Sequence, residues 1–456
     1  MTSARTTAEF STIVRRGLRG LRYRLPIARV LSIGLISLLV VSFEGAIEPS
    51  DAVAKSRHAI KKAHGKKAYG KPTVRHARPG KITTRPALRS ASPGSLATVA
   101  PLLTRAQVLA YEPQRLARIG RHIIVGYHGY AEVKHLVEMR AIAGVFITDH
   151  NAKGRPASIL KAELDALQAI RRSQGLPPLI IAADQEGGTV SRLSPPLQRQ
   201  PSLSAIIAKL STNDARRTAV EAYASTQAAE LQRLGVTLNF APVVDLKLDP
   251  NNRSDGETRL RLRSIAAEPS LVAKVAGWYC ATLARSGIMC TLKHFPGLGR
   301  VKRDTHVTTG EIAASEDQLA LSDWVPFRRL MDKPYVATML GHVRVNAVDP
   351  STPASYSKVI IADLIRAKWR HTGLLITDDF SMGAITHSPD RAGGAAVKAL
   401  QAGVDLVLVS FNEKHYDSVM SSLLDADARG LFDQGADAAS VDRIVKATTQ
   451  RPTLMK

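Results

Sequence analysis

The sequence predicts an α/β protein, a single (β/α)8 barrel behind a basic amino-terminal extension. Three observations carry this. From about residue 100 onward, eight short apolar runs rich in Val, Ile and Leu appear, none of them strictly alternating. Longer amphipathic segments separate them. Ionisable groups recur at the same end of five of the eight runs. Runs of this kind are strands buried on both faces, as in a parallel sheet. Eight of them within about 350 residues fit a closed barrel.

The predicted strands cover residues 122–127, 144–148, 179–183, 237–244, 288–292, 336–340, 373–377 and 405–410. The predicted helices between them are Ala157–Ser173, Asn213–Leu234, Pro269–Ser286, Glu316–Met331, Ser357–His371 and Ala392–Ala402. An open doubly wound sheet is the rival architecture. It usually carries a Gly-rich phosphate loop after its first strand, and Gly126-Tyr127-His128-Gly129-Tyr130 is no such loop.

Composition narrows the function. The chain has 456 residues, 45% apolar and 22% charged, which excludes a wholly disordered or fibrous protein. Two cysteines exclude a disulfide scaffold and a cysteine-rich zinc module. Cys280 and Cys290 fall on a helix and the strand after it, and buried free thiols are expected. The formal charge of +24 would suit a nucleic-acid binder. Its location argues otherwise, because residues 1–90 hold 19 Lys/Arg and 4 Asp/Glu. The remainder holds 44 and 35.

Seven arginines lie between Arg5 and Arg29, and Val30–Phe43 follows without a charge. Fourteen residues suit the core of an export signal better than a membrane span. Ala52-Val53-Ala54 offers a small-x-small cleavage site, and Arg15-Arg16 resembles part of a twin-arginine signal. An uncleaved anchor is the competitor. Residues 1–54 are thus expected to direct export to the periplasm or cell envelope. Lys55–Ser90 holds 12 Lys/Arg, no acid and one aromatic, Tyr69. Such a stretch cannot bury enough apolar surface to fold, so residues 55–100 are expected to be a disordered linker. Contact with anionic membrane or wall polymers is the functional expectation. Nucleic acid is not expected, since stacking aromatics are missing.

In a barrel, reacting groups gather at the carboxyl ends of the strands. The third run leads into Asp184-Gln185-Glu186-Gly187-Gly188 and the fourth into Asp245. The fifth leads into Lys293-His294, the sixth into Gly341-His342 and the seventh into Asp378-Asp379. Carboxylates facing across a barrel mouth suit glycoside hydrolysis. Asp378-Asp379 offers a nucleophile. After the fifth run, Pro296–His306 is a long loop in which Asp304 and His306 stand two apart. An aspartate bonded to an imidazole fixes its tautomer and raises its basicity, as a general acid/base requires. Taken singly, Asp304 is equally a turn former and His306 a loop histidine. His342 reads as a satisfied core group, Asp379 as an acceptor that fixes its loop, and Asp245 as a partner for Lys293 or Arg263. No metal site is expected, because a lone His128 follows the first run.

Asp184–Gly188, Phe240–Asp245, Lys293–Gly297, Asp304-Thr305-His306 and Thr377–Met382 are together similar to bacterial β-N-acetylhexosaminidases of glycoside hydrolase family 3, of the single-domain, peptidoglycan-recycling type. The likeness runs in order over residues 101–456. It implies a retaining exo-β-N-acetylglucosaminidase in one barrel domain, monomeric and without cofactor, acting on terminal β-linked GlcNAc of peptidoglycan fragments. It also implies Asp378 as nucleophile, Asp304 and His306 as an acid/base dyad, and Asp184, Arg192, Arg263, Lys293 and His294 as sugar contacts. The chain departs from the family pattern at Leu298, where histidine is usual, at Thr189, where arginine is common, and at Ile265, where an aromatic is preferred. A β-glucosidase or β-xylosidase of the same family, a phosphorolytic enzyme, and a non-catalytic wall-binding protein remain as alternatives.

Overall fold

The computed structural model describes residues 101–449 apart from 250, 252–255, 257 and 411–412. The expected export segment, the basic linker and the last seven residues lie outside the described residues.

Eight parallel strands form the barrel: β1 (Ile123–Gly126), β2 (Gly144–Ile147), β3 (Ile180–Ala183), β4 (Leu238–Asn239), β5 (Met289–Phe295), β6 (Val336–Leu340), β7 (Leu374–Thr377) and β8 (Val407–Val409). Consecutive strands pair from β1 to β7, and β8 pairs with β1. A bridge between Ile376 and Leu406 closes the ring. All eight predicted runs are therefore strands. Their lack of alternation has a direct cause. Ile124, Ile180, Ala182, Ala337, Met339, Leu374, Ile376 and Leu408 fill the inside of the barrel. Ile123, Val125, Ile181, Val407 and Val409 face the surrounding helices and join the larger outer core. The strands are largely apolar on both faces because both are buried.

Two strands differ in extent from the sequence expectation. The fourth was expected to span residues 237–244 but is two residues long, because Pro242 has no N–H for the ladder. Pairing resumes as a single bridge from Val243 to Lys293. The fifth runs three residues further than expected, through Phe295. Its register against β6 shifts between Leu292 and Phe295. Lys293 and His294 thus project from an irregular strand end, where bulges commonly re-aim side chains.

The helices include α1 (Pro113–Gly120), α2 (Tyr130–Glu138), α3 (Ala157–Ser173), α4 (Asn213–Leu234), α5 (Pro269–Arg285), α6 (Val325–Leu330), α7 (Val359–Lys368, wound as a π-helix), α8 (Arg391–Ala402), α9 (Glu413–Ala428) and α10 (Gln434–Thr449). Helices α3 and α4 match the expected ranges, each held at its carboxyl end by a positive-φ glycine, Gly175 one residue past the α3 cap and Gly235 at the α4 cap. The helix expected over Glu316–Met331 is broken at Ser322 and resumes as α6, where Pro326 occupies the first turn. Helices α1, α2, α9 and α10 were not anticipated. Helix α10 crosses the amino-terminal end of the barrel, and its Ile444 joins the interior cluster.

The two cysteines correct the sequence reading. Both are fully buried, as expected, but they form a disulfide rather than free thiols. Helix α5 turns back onto β5 after three residues, bringing the two Cα atoms to 5.3 Å. That lies within the usual range for a disulfide. Separation in sequence concealed this, since the pairing depends on which helix face meets the strand.

Candidate active site

The carboxyl ends of the strands open into a pocket of about 460 Å3. Asp184, Arg192, Arg263, Lys293, His294, His306 and Asp378 all line it. Asp304 stands behind His306. Sequence reasoning had named these eight residues, and the fold brings them together from the ends of β3, β5 and β7 and the loops after β4 and β5.

The deepest part is a buried ion cluster. Glu186 accepts from Arg263 through both oxygens, Nε at 2.9 Å and Nη2 at 2.7 Å. The ammonium of Lys293 reaches the same carboxylate at 2.8 Å and Asp184 at 2.6 Å. Burial alone would raise the Glu186 carboxyl, but Arg263 and then Lys293 overcome it and bring it down to about 2. From sequence alone Glu186 has no role beyond its place in Asp184–Gly188. Its signal was the acidic pair Asp184 and Glu186 around a short ribbon, Gln185–Gly187 with Val190–Ser191. Glycine is required in that ribbon. Gly187 has φ +89°, and a Cβ there would lie 2.3 Å from both the Pro201 carbonyl and the Tyr223 hydroxyl. The ribbon also turns Arg192 into the mouth, half-exposed, with its N–H bonded to the Asp184 carbonyl at 3.0 Å.

The cluster continues outward. Arg263 Nη1 donates to the Thr258 carbonyl at 2.8 Å. The Thr258 hydroxyl donates to Asp304 Oδ1 at 2.7 Å. Asp304 Oδ1 in turn accepts from the His306 N–H and bonds His306 Nδ1, each at 2.9 Å. Gly256 packs so closely on Asp304 that a Cβ there would lie 2.3 Å from Oδ2. On the other side, the His306 carbonyl accepts from Gly383 N–H at 2.8 Å, just beyond the Asp378 loop. Thr258 and Gly383 were not anticipated, since neither belongs to a recognisable motif.

Asp378 follows β7. Its backbone N–H bonds the Leu340 carbonyl, and one side-chain oxygen accepts from the Asp379 N–H at 2.9 Å. Burial acts to raise its pKa, but His294, followed by His342, the Asp379 N–H and His306, hold it below the ordinary aspartate value. The Asp379 carboxylate accepts from the N–H groups of Ser381 and Ser410, each at 2.9 Å, and from both hydroxyls. It therefore fixes its loop, as expected. His342 is fully buried, with Nδ1 on Ser355 and Nε2 on the Asp379 carbonyl, each at 2.9 Å. Burial pushes its pKa down.

Asp245 departs from expectation. It contacts neither Lys293 nor Arg263. It accepts from His294 Nδ1 at 2.7 Å and from the N–H groups of His294 and Leu298 at 3.0 and 2.7 Å. The register shift in β5 explains this, because it turns His294 toward the end of β4. Asp245 thus sets the tautomer of His294 and fixes the loop at Leu298, the position where histidine is usual in the family. Apolar walls complete the pocket, with Phe146, Phe240, Met339, Met382 and Leu408 contributing. Among the described residues, no group of three or more His, Cys, Asp and Glu side chains is placed to hold a metal ion. His128 contacts His150 at 3.1 Å near the mouth.

The family model described as the glycosyl hydrolase family 3 N terminal domain matches residues 117–446. A β-hexosaminidase of Stenotrophomonas maltophilia is 33% identical over 321 residues, 69% of this chain and 90% of that protein. One from Idiomarina loihiensis is 32% identical over 289 residues, 63% of this chain and 82% of that protein. Among solved structures, a family 3 glycosyl hydrolase of Mycobacterium smegmatis superimposes with a TM-score of 0.65 at 31% identity, covering 75% of this chain and 99% of that one. A family 3 β-N-acetylglucosaminidase of Paenibacillus gives 0.68 at 28% identity, over 74% of this chain and 62% of that longer protein. The chain belongs to glycoside hydrolase family 3. It is a glycoside hydrolase, as its motifs implied.

Glu186 provides a test of the buried cluster. Its folded-state pKa of about 2 lies below the unfolded value of about 4.3. Its contribution to stability is therefore complete above the unfolded value and is lost as pH falls from there through the folded one. Glu186→Gln should lower stability at pH 7 by about 3–5 kcal/mol, the usual cost of breaking a buried pair. Thermal melts followed by circular dichroism should show this gap narrowing as pH drops from about 4.5 toward 2. A gap that stays constant would mean that the carboxylate charge does not hold the cluster.

Proposed function

We propose that this glycosidase is an exported, retaining exo-β-N-acetylglucosaminidase that removes terminal β-linked GlcNAc, with peptidoglycan fragments as the natural substrate. One observation carries the reading. An aspartate held below its usual pKa and a histidine bonded to an aspartate line the same sugar-sized pocket. The β-hexosaminidase names of the most similar curated relatives support the sugar, and no specific observation favours glucose, xylose or a non-catalytic role.

Asp378 is ionised at neutral pH and attacks the anomeric carbon. The bond from that carbon to the leaving oxygen breaks as His306 Nε2 delivers its proton there. A glycosyl-enzyme remains on Asp378. His306 then takes a proton from water, and the resulting nucleophile displaces Asp378 from the anomeric carbon. Retaining enzymes ordinarily assign the acid/base task to a second carboxylate. Here the Asp304 carboxylate holds Nδ1–H, leaving Nε2 to exchange the proton and offsetting the imidazolium charge. Lys293, His294, Asp184 and Arg192 orient the sugar hydroxyls. Arg263 has two nitrogens on Glu186 and one on Thr258, so it steadies the site and presents less of itself to the sugar.

Export is supported by the basic, then apolar, start of the chain and by the Cys280–Cys290 disulfide, a bond characteristic of oxidising compartments. The Lys55–Ser90 segment would serve as a tether toward anionic wall or membrane surfaces.

A panel of aryl β-glycosides tests the sugar. GlcNAc should be released in preference to glucose and xylose, and a preference for either of those would overturn the assignment. Asp378→Asn should cost several orders of magnitude in kcat with the melting temperature little changed, whereas Asp379→Asn should cost less activity. The reverse ranking would place the nucleophile on Asp379.

Leaving-group dependence tests the dyad. His306→Ala should slow substrates with poor leaving groups far more than activated aryl glycosides, which depart with little acid assistance. Asp304→Ala should give the same pattern more weakly, and Thr258→Val more weakly still. Equal losses across leaving groups would reduce His306 to a positioning role.

A chain beginning at Pro101 should keep full activity on aryl substrates. It should not bind anionic vesicles that retain, at low salt, a chain beginning at Lys55. Equal retention of the two would move the affinity to the barrel.

A further inference from the structure

At the amino-terminal ends of β2 and β3, opposite the catalytic mouth, lies a second cavity of about 480 Å3. That is within the range of small-molecule sites, about 300–1,000 Å3. It shares no lining residue with the catalytic pocket. Its walls combine two features that rarely meet without a reason. Four arginines line it, Arg118, Arg121, Arg140 and Arg171, and no Asp or Glu does. The remaining surface is mostly aliphatic, from the loop before β3 and the inner face of α10.

Four neighbouring guanidiniums at this end of the barrel are neutralised. Arg366 and Arg443 share the buried Asp405 at 2.8 and 2.9 Å. Arg118 and Arg121 pair with Asp427 and Asp437, each at 2.5 Å. Arg171 differs. It is 6% exposed, yet among the described residues it has no carboxylate partner. Its one hydrogen bond there runs from Nε to the Pro177 carbonyl at 3.1 Å. Burial, and the charge of Arg140 beside it, push its pKa down to about 10. The carbonyl end of α3 offsets some of this charge. A fractional helix charge does not replace a carboxylate of the kind that the buried guanidinium of Arg263 has in Glu186.

We propose that this cavity binds an anionic amphiphile, with its charged head on Arg171 and Arg140 and its aliphatic body against Leu176, Pro178, Ile444 and Val445. An anion supplies the counter-charge that the lining lacks, and guanidiniums accept carboxylate and phosphate heads alike. The aliphatic walls offer a sugar or a nucleotide almost no hydrogen bonds, which excludes a polar body. Arg140 is exposed at the rim, so it admits the head, and Arg171 receives it deeper in.

The test is calorimetric titration of the full chain with octanoate, octyl phosphate, inorganic phosphate and octanol. Octanoate or octyl phosphate should bind saturably at one per chain, and their ratio identifies the head group. Inorganic phosphate and octanol should bind at least tenfold more weakly. Arg171→Gln and Arg140→Gln should each weaken the alkyl anion at least tenfold while leaving aryl-glycoside hydrolysis unchanged. Because Arg140 is exposed, its variant keeps the test decisive if Arg171→Gln folds poorly, and Ile444→Glu should abolish binding through the other end. Failure of both alkyl anions to bind saturably would overturn the proposal. So would binding indifferent to Arg140→Gln, or inorganic phosphate binding as tightly as octyl phosphate. Binding that emerges only after removal of residues 450–456 would make the chain's own tail the occupant and would equally overturn it.

Discussion

Glu186 is the fixed point of the catalytic end. One buried carboxylate holds two cations that arrive from different parts of the chain, Arg263 after β4 and Lys293 on β5. Each cation then fastens something further out. Lys293 orients Asp184, and Arg263 holds the Thr258 carbonyl, whose own hydroxyl holds Asp304. The His306 ring is therefore tied, through four successive contacts, to a charge at the floor of the pocket. With Asp184 the cluster balances two carboxylates against two cations; burying them costs desolvation, which their mutual attraction offsets only while all remain. Removing any one leaves an uncompensated charge. Such a cluster favours one arrangement of the surrounding loops, and positioning of that kind supplies much of a catalytic rate.

The two ends of the barrel use charge in opposite ways. At the carboxyl end, ionic groups face the pocket, and almost every one has a hydrogen-bond or ion-pair partner. The environments diverge within a few residues. Asp378 stays ionised beside His294, and Asp379, next in the chain, spends its oxygens on two serines. At the amino-terminal end, helix α10 plugs the barrel and most guanidiniums are neutralised by Asp405, Asp427 and Asp437. Among the described residues lining that end, Arg171 and Arg140 are the exceptions.

Much of this was legible in the sequence because strands buried on both faces cannot hide their composition. All eight runs stood out, and the polar residues that end them marked the pocket. What escaped depended on tertiary geometry. Pro242 shortened the fourth strand, although its effect on the ladder could have been read from the residue itself. The bulge in β5 could not, and it gave Asp245 to His294 rather than to the cations. Helix α2 is only nine residues long, so it passed as a loop. Cys280 and Cys290 met because of the face that α5 turns toward β5. Glu186 lay inside a motif whose first residue drew attention to the sugar, and its buried role needed Arg263 and Lys293 in place. Thr258 had no local signature at all, since its partner lies 46 residues away.

The chemistry reduces to whether Asp378 forms a covalent bond to the sugar. Two successive displacements at the anomeric carbon preserve its configuration, whereas a single attack by water inverts it. Proton NMR of an aryl β-GlcNAc digest, recorded before the product mutarotates, distinguishes the two. Asp378 as nucleophile with His306 as acid/base predicts the β-anomer of free GlcNAc as the first product. The α-anomer appearing first would contradict it.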